Sequence, residues 1–380
     1  MENPLLGPGL DSLRERRSLK WRLYGPDVLP LWVAEMDVVP AEPVRRAVID
    51  AVERGDTGYP WADDYAEALA SFARTRWGWS PDPRAMALVP DVMIGVSEVL
   101  KLLTGPGDAV VVNSPVYPPF FEFVSHLGRR VVEAPLSPAG RIDPETLDRA
   151  LGEAVRSGER AAYLICNPQN PTGAVHTAAE LTEALTLAER YGVRVVADEI
   201  HAPLVPAGTR FTPVTSLDAG ARAISLMSAS KAFNLAGLKA AVAVPGPAAV
   251  SDLAQLPEVV SHGASHLGVL AHRAAYLEGG PWLDALLQGL DENRRLLAGL
   301  LAEHLPEVGY RIPEGTFLAW LDFRALDLGD DPAEVLRERA RVALHPGPGF
   351  GQGGLGHARL NFGTAPSILR EAVTRIAAAV

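Results

Sequence analysis

Four short apolar runs constrain this chain more than any other feature: Asp108 to Val112 (DAVVV), Ala161 to Cys166 (AAYLIC), Gly192 to Ala197 (GVRVVA) and Arg222 to Met227 (RAISLM). Each is strongly apolar or β-branched, as expected of strands covered on both faces in a parallel sheet. Each stops abruptly at polar residues or prolines, reading NSPVYPP, NPQNPTG, DEIHAP and SASKAFN. Between the strands, PETLDRALGEAVRSG and AAELTEALTLAERYG carry apolar residues at helical spacing and close on glycine, which makes them crossover helices. The alternation predicts an α/β fold with a mostly parallel sheet flanked by helices. In such a sheet all four polar stops share one edge, the edge at which open α/β folds bind ligands.

A chain of 380 residues exceeds what one ordinary core organises. After about residue 275 the pattern changes to a long helix, WLDALLQGLDENRRLLAGLLAEHL, then mixed strands and a final helix, APSILREAVTRIAAAV. The expected organisation is a large domain over residues 46–274, a smaller α+β domain over 275–380, and an N-terminal segment, 1–45, joining the smaller one.

Acidic residues outnumber basic ones 46 to 35, and the net charge of -11 argues against a nucleic-acid partner. The one dense basic run, Arg14 to Lys20 (RERRSLK), reads as a solvated face or a phosphate-seeking edge. No apolar stretch approaches the roughly 18 residues a membrane span needs, so no membrane partner is expected. The single cysteine, Cys166, excludes an intrachain disulfide, and the start MENPLLGPGLDS lacks a basic residue cluster followed by a long apolar run. A cytoplasmic location is the expectation.

Chemistry concentrates at the polar stops. Asp198 follows a buried-type strand, where a carboxylate calls for a cationic partner. The same DE ending suits the magnesium strand of a nucleotide hydrolase, but that enzyme needs G-x-x-x-x-G-K-[ST], which is absent. Lys231 lies just past the next strand among hydroxyls. Alone it reads as a surface charge; beside Asp198 it supplies the amine, and Asp198 the carboxylate, that pyridoxal 5'-phosphate (PLP) requires. Asn170 can donate to the cofactor's phenolate oxygen, or simply belong to an Asn-Pro turn. Tyr117 offers a face on which a pyridine ring stacks, or is a core tyrosine. The helix VMIGVSEVLKLLT places the amides near Val92 and Met93 as phosphate donors, with Ser228, Ser230 and Lys239 closing the other side. Asp91 before it is either part of that site or only the helix cap. Arg359, in HARLNFGT, suits a substrate carboxylate, with a buried structural salt bridge as the rival reading.

Other signals carry little. Gly349 to Gly354 (GFGQGG) matches G-x-G-x-x-G, but no helix follows, which argues against a dinucleotide site. His262 and His266 have metal-like spacing without an acidic partner, so no metal is expected. Cys166 reads as a core residue of its strand.

Taken together, SLKWRLYGPDVLPLWVAEMD, TGYPWADDY, SPVYPPFF, NPQNPTG, DEIHAPLV, SASKAFNLAGL and RLNFGT resemble the fold-type I PLP enzymes of the class I/II aminotransferase group. DEIHAPLV and LPLWVAEMD resemble one branch, the cystathionine β-lyase type carbon-sulfur lyases. The resemblance implies the PLP-dependent transferase fold and a homodimer with shared active sites acting on an amino acid. It implies that Lys231 carries PLP covalently and acts as base. Asp198 then holds the pyridinium, Asn170 the phenolate oxygen with His201 nearby, and Tyr117 the ring. Ala34 and Arg359 face the substrate, and Tyr59 reaches the neighbouring subunit's site. Cleavage of cystathionine or a related thioether to thiol, pyruvate and ammonia is the expected activity; transamination and a PLP-binding regulator with little turnover are the alternatives. Two positions depart from the branch: Glu35, where aspartate is usual, and Asp91, where glycine is usual.

Overall fold

The computed structural model describes residues 2–156 and 160–380. Its centre is a seven-stranded sheet in the order Ala87–Val89, Ala241–Pro245, Ile224–Met227, Arg194–Asp198, Ala161–Cys166, Ala109–Val112, Arg130–Glu133. The four strands expected from sequence are adjacent and parallel. Ala241–Pro245 runs antiparallel to both neighbours.

Side chains alternate across these strands, so an unbroken apolar run needs two covered faces. Val110, Val112, Leu164, Val196, Ile224 and Leu226 pack with the helices Val92–Leu103 and Pro119–His126. Ala109, Val111, Tyr163, Ile165, Val195 and Ala197 pack with Pro144–Ala154 and Ala178–Arg190. The glycine expected to close the first of those crossover helices, Gly158, lies outside the described residues. Gly95 lets Val92–Leu103 lie close on the sheet, since a Cβ there would come within 2.6 Å of Leu226 Cδ1. That contact fixes the helix start beside the strand ends.

The C-terminal part is built on the long helix Gly280–His304, an antiparallel sheet ordered His345–Pro346, His357–Asn361, Leu318–Asp322, Gly309–Tyr310, and the final helix Pro366–Ala377. Near the N-terminus, Leu29–Pro30 pairs in parallel with Val342–Ala343. Residues 33–37 then run as a strap back to the central sheet's edge.

The basic run is not a uniformly solvated face. Lys20 is fully buried, 2.7 Å from the equally buried Asp37, whose Oδ1 also accepts from Trp21 Nε1. Among the described residues no helix is long and apolar enough to cross a membrane.

Candidate active site

The C-terminal edge of the parallel strands opens into a cavity of about 250 Å³. Ala34, Val92, Met93, Tyr117, Asn170, Asp198, His201, Ser230, Lys231 and Lys239 all line it. They come from six separate stretches of chain that meet at this edge. A larger cavity of about 680 Å³, walled by Phe72, Trp77, Phe211 and Leu287, holds none of these groups.

Lys231 Nζ donates to the Ala34 carbonyl at 2.9 Å. Burial, followed by the positive Arg359, pulls its amine down to about 8, although Asp198 opposes the shift. A neutral amine is therefore accessible near neutral pH. Asp198 ends its strand and is buried, accepting from the Ile200 amide at 3.0 Å. Burial raises it to about 6, so a cationic N–H in the cavity would stabilise its charged form. His201 is buried with Nδ1 unpartnered, and burial holds it neutral by lowering it to about 3.

Arg359 is 1% exposed. Its Nη1 donates to Asn170 Oδ1 at 2.9 Å and its Nη2 to the Trp32 carbonyl at 3.1 Å, while Nε has no partner. Among the described residues no carboxylate pairs with it, so the salt-bridge reading is corrected. A buried guanidinium with no anion is costly unless a ligand supplies one. With Oδ1 of Asn170 engaged, its Nδ2 is left to donate.

Asp91 caps the helix, its Oδ1 accepting from Ile94 N at 2.8 Å, and its Oδ2 lies 2.7 Å from Lys239 Nζ. Asp91 is therefore the helix cap but not only that, because it lines the cavity as well. Ser228 is not a cavity wall here: its buried hydroxyl donates to the Ala240 carbonyl at 2.7 Å. Tyr59 is also elsewhere, 85% exposed on the surface. Glu35 does not enter the cavity; its carboxylate accepts from Ser18 Oγ at 2.6 Å, so the extra carbon is absorbed outside. Cys166 ends its strand as expected but also lines the cavity, and burial raises its thiol. His262 and His266 do have acidic neighbours, Glu258 at 3.8 Å and Asp56 at 3.0 Å, against the sequence reading. No group of three ligating side chains is placed for a metal among the described residues.

Sequence reasoning missed the residues that hold the strap. Asn234 takes the Met36 amide on Oδ1 at 2.8 Å and gives Nδ2 to the Met36 carbonyl at 2.9 Å. Asn361 Nδ2 donates to the carbonyls of Val33 at 2.8 Å and Glu35 at 2.7 Å. Asn361 had a readable signal, since it lies two residues after Arg359 on one strand and so on the same face. Asn234 had none.

A flat cofactor with a reactive carbonyl carbon, a basic ring nitrogen and one phosphate suits this donor set. Lys231 would meet the carbonyl carbon, Asp198 the ring nitrogen, and the helix start with Ser230 and Lys239 the phosphate. A fold and cavity of this composition define an enzyme of the aminotransferase class I and II family, and the chain belongs to it, the family model matching residues 26–376. Within that family, the chain is 54% identical to a Mycobacterium tuberculosis protein named "Putative cystathionine beta-lyase", covering 98% of this chain and 97% of that one. It is 36% identical to the cystathionine beta-lyase of Corynebacterium glutamicum, over 97% and 98% of the two chains. The structure of cystalysin from Treponema denticola, which contains pyridoxal 5'-phosphate, matches with a TM-score of 0.91 at 26% identity, over 100% of this chain and 98% of that one.

Proposed function

We propose that this protein is a PLP-dependent carbon-sulfur β-lyase cleaving cystathionine or a related cysteine thioether to thiol, pyruvate and ammonia. The observation that carries the reading is the buried Arg359, hydrogen-bonded to Asn170 and the Trp32 carbonyl but paired with no carboxylate, beside a lysine whose amine is lowered to about 8. One group lacks a carboxylate partner; the other has a neutral fraction near neutral pH that can take a proton. Relatives named for this reaction support the same substrate class.

PLP, when bound, supplies an electrophilic carbon for the substrate amine and an electron-withdrawing ring that stabilises charge at the substrate α-carbon. Asp198 would face the ring nitrogen and keep it protonated, its own charge favoured by that cation. Tyr117 would cover one ring face and exclude water. Arg359 would bind the substrate carboxylate through paired N–H donors and so fix the α-proton's direction. Lys231 Nζ would take that proton, and departure of the β-thiolate would follow. His201, neutral, adds no competing charge.

Transamination uses the same residues and diverges only when Lys231 returns the proton. Incubating the PLP-loaded protein with cystathionine and no 2-oxo acid separates the two. Continued pyruvate release supports the lyase, whereas conversion of the cofactor to pyridoxamine phosphate without pyruvate rejects it.

The proposal extends to a cytoplasmic homodimer, with residues 1–45 and 275–380 acting as one smaller domain beside 46–274. Tyr59 and Trp61, two residues apart in the chain, are 85% and 66% exposed, and large apolar side chains left so open suit a surface that a partner subunit covers. In that arrangement Tyr59 would reach the other subunit's site.

A further inference from the structure

At the start of the helix Val92–Leu103 an internal carboxylate shares the place where the cavity gathers its anion donors. Asp91 caps the helix through one oxygen and holds Lys239 Nζ at 2.7 Å through the other. Lys239 and Ser230 line the same cavity as Val92 and Met93 at the helix start. A phosphate that takes Lys239 as a donor would share it with Asp91, which already lies 2.7 Å from Nζ, and would sit within about two hydrogen-bond lengths of that carboxylate. A phosphate monoester carries about −1.5 to −2 at neutral pH. At that separation, in a cleft only partly open to water, like-charge repulsion is worth more than a factor of ten in affinity.

We infer that Asp91 is an affinity-setting residue: through its hold on Lys239 and its own charge it weakens retention of the cofactor phosphate, so that this protein exchanges PLP readily. The inference rests on the PLP reading of the cavity. It concerns binding of the phosphate, and the roles of Lys231, which would move the proton, and Asp198, which would hold the ring nitrogen's, are untouched by it.

The test measures PLP dissociation constants and release rates for the full-length wild type, D91N and D91S. Asn and Ser retain the capping oxygen for the Ile94 amide, so the helix start is preserved while the charge is removed. D91N and D91S are expected to tighten PLP binding at least about tenfold and slow its release. They should steepen the loss of affinity with added salt, because attraction is no longer offset. Pyridoxal, which lacks the phosphate, should bind all three proteins equally. Unchanged or weaker PLP binding by both variants would overturn the inference and leave Asp91 a cap and a positioner of Lys239. An equal gain for pyridoxal would overturn it too. Failure of the wild type to bind PLP at all would instead reject the cofactor reading.

Discussion

Arg359 donates to Asn170 at 2.9 Å, joining the antiparallel C-terminal sheet to the polar stop of the strand Ala161–Cys166. The contact spans 189 positions of sequence and fixes a buried cation beside the cavity with no anion of its own.

That geometry predicts a division between activity and stability. R359K is expected to lower kcat/KM for amino-acid substrates by about two to three orders of magnitude, since lysine cannot reproduce the paired donors. R359M is expected to lose activity without lowering the thermal midpoint of the ligand-free protein, because an uncompensated buried charge is removed. Steady-state kinetics and thermal melts on the same preparations check both. A large drop in the R359M midpoint would contradict the assignment.

The strap over the cavity depends on Asn234. This residue has φ 57°, a conformation asparagine tolerates, and makes both hydrogen bonds to Met36. N234A should destabilise the protein by about 1–3 kcal/mol and raise KM, as the Ala34 carbonyl loses its position over Lys231. N234G relieves the backbone but not the lost bonds, so it should recover only part of the stability. Urea denaturation and KM values distinguish the two; full recovery by N234G would show that the side-chain bonds contribute little.

Glu199, next to Asp198 in the chain but not a cavity wall, gives a pH signature of its own. It is fully buried, accepts from Val214 N at 2.9 Å and has its other oxygen unpartnered. Burial raises its carboxyl to about 8. A folded-state value above the unfolded one means its contribution is fully present below about pH 4.5 and fades as pH rises through 8. E199Q removes this titration, so wild type should lose stability relative to E199Q between pH 5 and 9, by an amount on the order of a few kcal/mol. Urea midpoints across that range provide the check; parallel pH profiles would contradict it.

Legibility in the sequence followed the strength of the local signal. The strands Ala109–Val112, Ala161–Cys166 and Ile224–Met227 were readable because their β-branched or bulky runs end at abrupt polar stops. Ala87–Val89 and Ala241–Pro245 are short or alanine-rich, and Arg130–Glu133 has charged ends at the sheet's edge, so none stood out. Asp198 and Lys231 were legible because strand order alone brings strand ends together. The Asp91–Lys239 pair and the Lys20–Asp37 pair depend on tertiary placement, which no local pattern encodes. The PLP assignment needed several residues at once, since each alone had an ordinary structural explanation.

The most direct test of the central claim is to treat the PLP-loaded protein with borohydride and map the cofactor mass by peptide analysis, repeating the loading of the apoprotein at several pH values. One cofactor per chain is expected on the peptide containing Lys231 and none in K231A, with a loading rate that rises with pH, reaches half its plateau near 8 and levels off above it as the amine deprotonates. Cofactor on a different lysine, or undiminished labelling in K231A, would contradict it.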